Sequence, residues 1–352
     1  MSKTDKTKPV LVTGATGYVA GWVVKRLLEE GITVHAAVRE PQNKEKTAHL
    51  VNLAKKSKGE VKFFKTDLLN QGSYAEAMKG CEVVFHTASP FTNIVKDAQK
   101  QLIEPAVRGT ENVLEQANKT DSVKRVVLTS SCAAIYCDAA DCARAPGGVL
   151  TEEVWNETAS IDYQAYSYSK KLAEKRAWEI ANEQDRWDMV SINPSLVLGP
   201  ALNPRTVTSE SYNILKQMGD GAMKMGAPRL AIGLVDVRDV AEAHFQAAYN
   251  PKAKGRYITS AHNTDFFEMA QLLLPKYGDK YPLPKKTLPK WLLVAFGPML
   301  NEAFQRRFLR NNVNVEFKAD NSKIKKDLGI NFRPARETME ESFQLLIDEK
   351  II

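Results

Sequence analysis

The chain has 352 residues, 43% apolar and 26% charged, a balance that suits one large α/β domain or a larger domain with a smaller lobe. Its formal charge is +7, yet Lys and Arg alternate with Glu and Asp, as in Lys170-Lys171-Leu172-Ala173-Glu174-Lys175-Arg176, and alternating signs read as a solvated helix face, which argues against nucleic acid as a partner. No stretch approaches the roughly 18–20 apolar residues of a membrane span, and the polar start Met1-Ser2-Lys3-Thr4 lacks a signal peptide's apolar core, so a cytoplasmic monomer or homodimer with no membrane partner is expected.

Short apolar runs at Pro9–Gly14, Thr33–Arg39, Val61–Asp67, Glu82–Ser89, Lys124–Ser131 and Asp188–Ser195 predict strands. Helical patterns at Gly17–Glu30, Asn43–Lys56, Ser73–Lys79 and Ala98–Asn118 separate them. Continuous rather than alternating apolar runs predict parallel strands covered on both faces, joined by right-handed crossovers into a doubly wound α/β sheet of Rossmann type. Beyond Ser195 the pattern predicts helices near Ser209–Met218 and Val237–Tyr249, and a strand at Arg256–Ser260. An irregular, proline-rich connection from Pro275 to Pro289, a helix near Trp291–Arg310 and a last helix over Glu337–Asp348 complete the reading. Three of the four cysteines, Cys132, Cys137 and Cys142, form a C-x4-C-x4-C run. Without a nearby His pair it reads as reduced thiols in or beside a core, not as a metal site.

The first strand runs directly into a helix through Thr13-Gly14-Ala15-Thr16-Gly17-Tyr18-Val19-Ala20. In that setting Gly14 permits a tight turn, and Gly17 lets backbone amides approach a pyrophosphate at the helix N-terminus. Thr16, Tyr18 and Val19 belong to the same cofactor-binding turn. The second strand ends Ala37-Val38-Arg39, where an NAD site would place an acid for the ribose hydroxyl. Arg39, joined by Lys46, instead faces a 2′-phosphate, so NADP (as NADPH) is the expected cofactor. Asp67-Leu68 closes the third strand, where the carboxylate either accepts from an adenine amino group or caps the next helix. Thr87, Ala88 and Ser89 follow His86 beside the crevice, and His86 itself reads as a packed strand histidine.

Tyr166 and Lys170 stand four residues apart at the start of a helical run, on one face. A tyrosine has a pKa near 10, and a neighbouring ammonium lowers it toward the working range of a proton donor. Ser131 ends the fifth strand, at the carboxyl edge where open sheets place ligands, and there it hydrogen-bonds a substrate carbonyl or caps a turn.

With these motifs the sequence resembles the extended short-chain dehydrogenase/reductases, in the branch of dihydroflavonol 4-reductase, cinnamoyl-CoA reductase and yeast methylglyoxal/aldehyde reductase. The likeness covers nearly the whole chain, adding Asn193-Pro194-Ser195 with Gly199-Pro200, Leu234 to Ala241, and Asp320-Asn321-Ser322-Lys323. It implies Ser131, Tyr166 and Lys170 as the catalytic set, with Tyr166 the general acid and Lys170 also holding the nicotinamide ribose. Arg39 and Lys46 would bind the 2′-phosphate, and Pro194, Val197 and Ser209 would line the cofactor. Phe91, Ser131, Tyr136, Tyr166 and Tyr212 are the expected substrate contacts, with Tyr168 and Met223–Leu230 as further wall candidates. Tyr136 replaces an Asn common in plant dihydroflavonol reductases, which argues for a small carbonyl substrate over a flavonoid. Residues 1–195 are then the NADP-binding domain, with segments at about 230–260 returning to it, and 196–352 mainly a smaller, mostly helical substrate lobe. The competing readings are an NAD-dependent hydroxysteroid-type dehydrogenase or sugar epimerase, opposed by Arg39, and a non-enzymatic NADP sensor, opposed by the retained Tyr166 and Lys170.

Overall fold

The computed structural model describes residues 4–89, 97–203, 210–300 and 304–352. In chain order the first part runs β1 (Val10–Thr13), α1 (Tyr18–Glu29), β2 (Val34–Val38), α2 (Lys44–Lys55), β3 (Val61–Lys65), α3 (Ala75–Met78) and β4 (Val83–His86). It continues through α4 (Glu104–Asn118), β5 (Arg125–Thr129), α5 (Ala165–Asn182) and β6 (Asp188–Pro194). The chain then leaves this layer for β7 (Leu196–Leu198), α6 (Glu210–Gly219) and β8 (Ala231–Asp236), and α7 (Val237–Tyr249) leads back to β9 (Gly255–Thr259). The last stretch holds β10 (His262–Asp265), α8 (Phe266–Tyr277), α9 (Lys290–Leu300), α10 (Arg306–Asn312), α11 (Ser322–Leu328) and α12 (Ala335–Asp348).

Seven strands form one parallel sheet in the order β3-β2-β1-β4-β5-β6-β9, the doubly wound order with its reversal between β1 and β4. β1, β2 and β4 are buried at every residue, as strands covered on both faces must be. One face packs on α1 and α7 through Val24, Leu27, Leu28, Ala243 and Ala247, and the other on α4 and α5 through Val113, Leu114, Ala177 and Ile180. A second apolar core, around Leu215, Met218, Met269, Leu273, Leu309, Met339 and Phe343, holds the remaining helices together.

The second part is not purely helical. β7, β8 and β10 make a small mixed sheet, with β10 antiparallel to β8. Asp265 starts α8 by accepting from the Glu268 amide at 2.8 Å, so that helix begins before the proline-rich stretch and takes in Pro275 near its end. The expected helix over Trp291–Arg310 is divided into α9 and α10, and Gly297-Pro298 sits near the end of the first. Before α4 the chain makes a widened π-type turn over Gln99–Ile103, next to Pro105, which lacks an amide donor. Among the described residues no helix is long and apolar enough to cross a membrane.

Candidate active site

The carboxyl ends of β1, β4, β5 and β6 open into a cleft of about 880 Å³. At one end Gly14 has φ +62°, and a Cβ there would lie 3.1 Å from Ala88 Cα. Both the turn and the close approach therefore require glycine. Gly17 begins α1 with no side chain closing its first turn, and no acidic residue stands in that turn. Open amides and the helix's partial positive charge make a cradle fitted to a phosphate. Thr16, Tyr18, Val19, Thr87, Pro194 and Val197 line the same cleft. The amides of Thr87 and Ala88 both donate to Thr13 Oγ1, at 3.1 and 2.9 Å, which fixes the end of β4 against the end of β1. Tyr18 donates its hydroxyl to the Gly199 carbonyl at 2.8 Å, and burial pushes its phenol well above the ordinary range.

Arg39 is exposed just beyond β2, and Lys46, on α2, holds Glu40 with Nζ 2.7 Å from Oε2. Asp67 spends its carboxylate locally, accepting from the Leu69 amide at 2.8 Å. Leu68 packs on α4 so closely that a Cβ added to Gly109 would fall 2.5 Å from its Cγ. These four residues lie outside the lining of the cleft.

Ser131 and Tyr166 both belong to the cleft's lining. Ser131 follows β5, where its Oγ accepts from the Ala133 amide at 3.1 Å and so caps a short turn while bordering the cleft. Tyr166 sits in the first turn of α5 with 42% of its surface exposed. Lys170, one turn on, has Nζ 5.7 Å from the Tyr166 ring centroid and donates to Ser89 Oγ at 3.0 Å. The helix thus presents a phenol and an ammonium side by side; the phenol shares the cleft with the Ser131 hydroxyl, and Lys170 stands behind the lining.

What seats that helix is a residue the motif reading missed. Glu174 continues the Tyr166–Lys170 stripe by four residues and is wholly buried. Its carboxylate accepts from Ser130 Oγ at 2.5 Å, Asn193 Nδ2 at 2.7 Å and Arg256 Nε at 2.7 Å. Asn193 Nδ2 also donates to the Ser131 carbonyl at 3.1 Å. One carboxylate therefore ties α5 to β5, β6 and β9, and sets Tyr166 against Ser131. The i, i+4 spacing of Tyr166, Lys170 and Glu174 is the sequence signal that marks it.

The buried histidines near the site are structural. His86 accepts or donates at 3.1 Å with Thr13 Oγ1, and burial together with the Lys170 ammonium drops it to about 3. His244 Nδ1 donates to the Val240 carbonyl at 2.7 Å, leaving Nε2 to accept from Thr129 Oγ1 at 2.7 Å, and burial lowers it to about 4. Cys137 borders the cleft, but burial pushes its thiol up to about 12, and Cys132 and Cys142 are buried and raised likewise.

On the opposite wall, Tyr136 reaches the cleft and packs on Phe317 with ring centroids 5.0 Å apart. Tyr212 does not reach it. Its ring packs edge-on against Tyr18 and its hydroxyl donates to the Gly199 carbonyl, so it is a buried brace behind the cleft wall rather than part of it. Tyr168 and the segment 223–230 also stand away from the lining. Phe91 and Ser209 lie outside the described residues. The lining adds Leu102, Gln164, Ile232 and Phe308, none of which the sequence reading named.

The sequence pattern of the NAD dependent epimerase/dehydratase family matches residues 10–259. The chain is 40% identical to a cinnamoyl-CoA reductase of Medicago truncatula, over 81% of this chain and 86% of the relative. It is 35% identical to an anthocyanidin reductase of Arabidopsis thaliana, over 85% and 90%. Among solved structures it resembles the yeast methylglyoxal/isovaleraldehyde reductase Gre2 complexed with NADPH, at 28% identity and a TM-score of 0.77, covering 98% of this chain and 100% of that one. Sequence, fold and glycine-lined cleft agree: the chain belongs to the NAD dependent epimerase/dehydratase family, the extended short-chain dehydrogenase/reductases.

Proposed function

We propose that the protein is an NADPH-dependent reductase of small aldehydes and ketones. The observation that carries this reading is the placing of Ser131 and Tyr166 on one cleft with the glycine cradle of Gly14 and Gly17. The cradle and the open first turn of α1 would hold the pyrophosphate. Arg39 and Lys46 would take the 2′-phosphate, and Lys170 the nicotinamide ribose. The cofactor relatives support NADPH, since the yeast structure was obtained with it. When bound, reduced nicotinamide supplies the hydride for the carbonyl carbon.

The chain's own residues do the rest. Ser131 Oγ, already oriented by the Ala133 amide, donates to the substrate oxygen and steadies the charge developing there. Tyr166 gives its proton to that oxygen, and the Lys170 ammonium stabilises the phenolate left behind. The Glu174 network fixes the distance between the two hydroxyls before substrate arrives. Burial holds both imidazoles nearest the sheet ends in the neutral form, which supports Tyr166 as the proton source.

The test is a screen of aldehydes and ketones, following loss of NADPH absorbance, with product alcohols identified by chromatography. Turnover of at least one carbonyl class is expected. Tight NADPH binding with no reduction of any member would overturn the reading.

A further inference from the structure

Gln164 immediately precedes α5, two residues before Tyr166, and its backbone is left-handed at φ 57° and ψ 53°. A residue with a Cβ seldom adopts this conformation unless its surroundings impose it. Here they do. The neighbouring Tyr163 donates its phenol to Asp138, 2.8 and 2.9 Å from the two carboxylate oxygens. The same carboxylate accepts from Asn312 Nδ2 at 2.6 Å and Asn311 Nδ2 at 2.9 Å. The Arg307 guanidinium lies 3.8 Å over the Tyr163 ring, and Tyr163 exchanges backbone hydrogen bonds with Ser160. The corner is bolted to α10 and held in its turn.

This turn brings Gln164 into the lining of the cleft, beside Ser131 and Tyr166. Its side chain is half-buried, does not cap α5, and has no hydrogen-bond partner among the described residues. A carboxamide left this way keeps both its donor and its acceptor open to a ligand, and a substrate that displaces water from it must replace those bonds. The wall includes Ala133, Tyr136, Cys137, Ile232 and Phe308, and among the described residues no Lys, Arg, Asp or Glu lines the cleft.

We infer that Gln164 is a specificity-determining residue that hydrogen-bonds a second oxygen of the substrate. The preferred substrates are therefore carbonyl compounds with an apolar body and an additional uncharged oxygen, either hydroxyl or carbonyl. A carboxamide both donates and accepts, so it serves either group. Being neutral, it offers a carboxylate no charge to pair with. This inference rests on the carbonyl-reductase reading above and specifies its substrate class.

The experiment compares matched carbonyl pairs that differ by one oxygen: phenylglyoxal with phenylacetaldehyde, and benzoin with deoxybenzoin. Gln164→Gly keeps the left-handed turn and deletes the amide, whereas Gln164→Asn keeps an amide and a residue tolerant of that turn. For Gln164→Gly, kcat/KM should fall roughly tenfold more on the oxygenated member of a pair than on its plain partner, chiefly through KM, as expected when one hydrogen bond to bound substrate is lost. Gln164→Asn should recover part of that difference. NADPH affinity by fluorescence titration and the melting temperature serve as fold controls, and Gln164→Gly should melt no lower than wild type because it relieves the backbone. An equal fall on both members of each pair, or no fall on either, would overturn the proposal while leaving carbonyl reduction intact. Reduction of other carbonyls in the wider screen but of none of these four would overturn this inference alone; NADPH binding with no carbonyl reduced at all would overturn the functional reading and this inference with it.

Discussion

Glu174 and Arg256 form an ion pair at 2.7 Å between α5 and β9, with the glutamate side chain fully buried and the arginine 7% exposed. Arg256 also donates to the Glu152 and Val154 carbonyls at 2.9 and 2.7 Å, so each charge is further satisfied by hydrogen bonds. Arg256→Met should leave the carboxylate buried without its cation and cost about 3–5 kcal/mol of stability in urea denaturation. The double variant Glu174→Leu with Arg256→Met should regain part of that loss. It should nevertheless turn over slowly, because the amide of Asn193 and the Ser130 hydroxyl would have lost their shared acceptor.

Tyr166→Phe removes only the phenolic oxygen from a side chain that is already 42% exposed, so folding and NADPH affinity should be retained. The rate should fall by roughly 10²–10⁴ if Tyr166 is the proton donor. Ser131→Ala should slow turnover with cofactor affinity preserved, and should also shorten the life of the small turn it caps. Single-turnover kinetics with NADPH, beside fluorescence titration, separates the two effects. Near-normal turnover by the Phe variant would assign the proton to another group.

The pairing of Lys46 with Glu40 bears on cofactor choice. Both side chains are exposed, so the pair is weak and readily screened. Glu40→Gln should release Lys46 toward the 2′-phosphate and raise the preference for NADPH over NADH severalfold, mainly through KM. Arg39→Ala should move the preference the other way. The readout is kcat/KM for both cofactors in each variant, and identical ratios in all three proteins would dismiss this corner as the 2′-phosphate site.

Two neutral, buried histidines set an acid limit on stability. His86 and His244 are lowered to about 3 and about 4, against an unfolded value near 6.5. Between those values the unfolded chain binds protons that the folded chain refuses. The stability they permit is thus complete above pH 6.5 and is lost as pH falls toward 4. At pH 5 each histidine costs up to roughly 2 kcal/mol relative to neutral pH. Urea midpoints should drop between pH 7 and 5, and His244→Gln should flatten that slope even if it lowers stability at neutral pH.

The sheet was legible because buried parallel strands write themselves as uninterrupted Val, Ile and Phe runs, and the glycine turn after β1 because only glycine fits beside Ala88. α8 was hidden by Pro275, although Asp265 and Glu268 carry the signature of a helix start. Tyr212 illustrates the opposite limit. A tyrosine near the cofactor looks the same in sequence whether its ring faces a ligand or braces Gly199 from behind. Gln164 could not be found either, since its exposure to the cleft depends on a left-handed turn enforced by Asp138, Asn311 and Asn312, which lie 26, 147 and 148 residues away in sequence.

β9 joins the sheet beside β6 only after an excursion of some 60 residues, from Pro194 to Gly255. A ribosome adding roughly 5–20 residues per second takes several seconds to cover that interval. During it the growing chain carries a six-stranded sheet in which β6, like β3 at the far side, is a raw edge of unpaired backbone groups, a template for pairing with other chains. Glu174 has by then been made, but its counter-charge on β9 has not. The cradle for a cofactor can therefore take shape on the nascent chain well before the groups around Ser131 and Tyr166 are locked, and the last element to arrive both closes the sheet and completes the site.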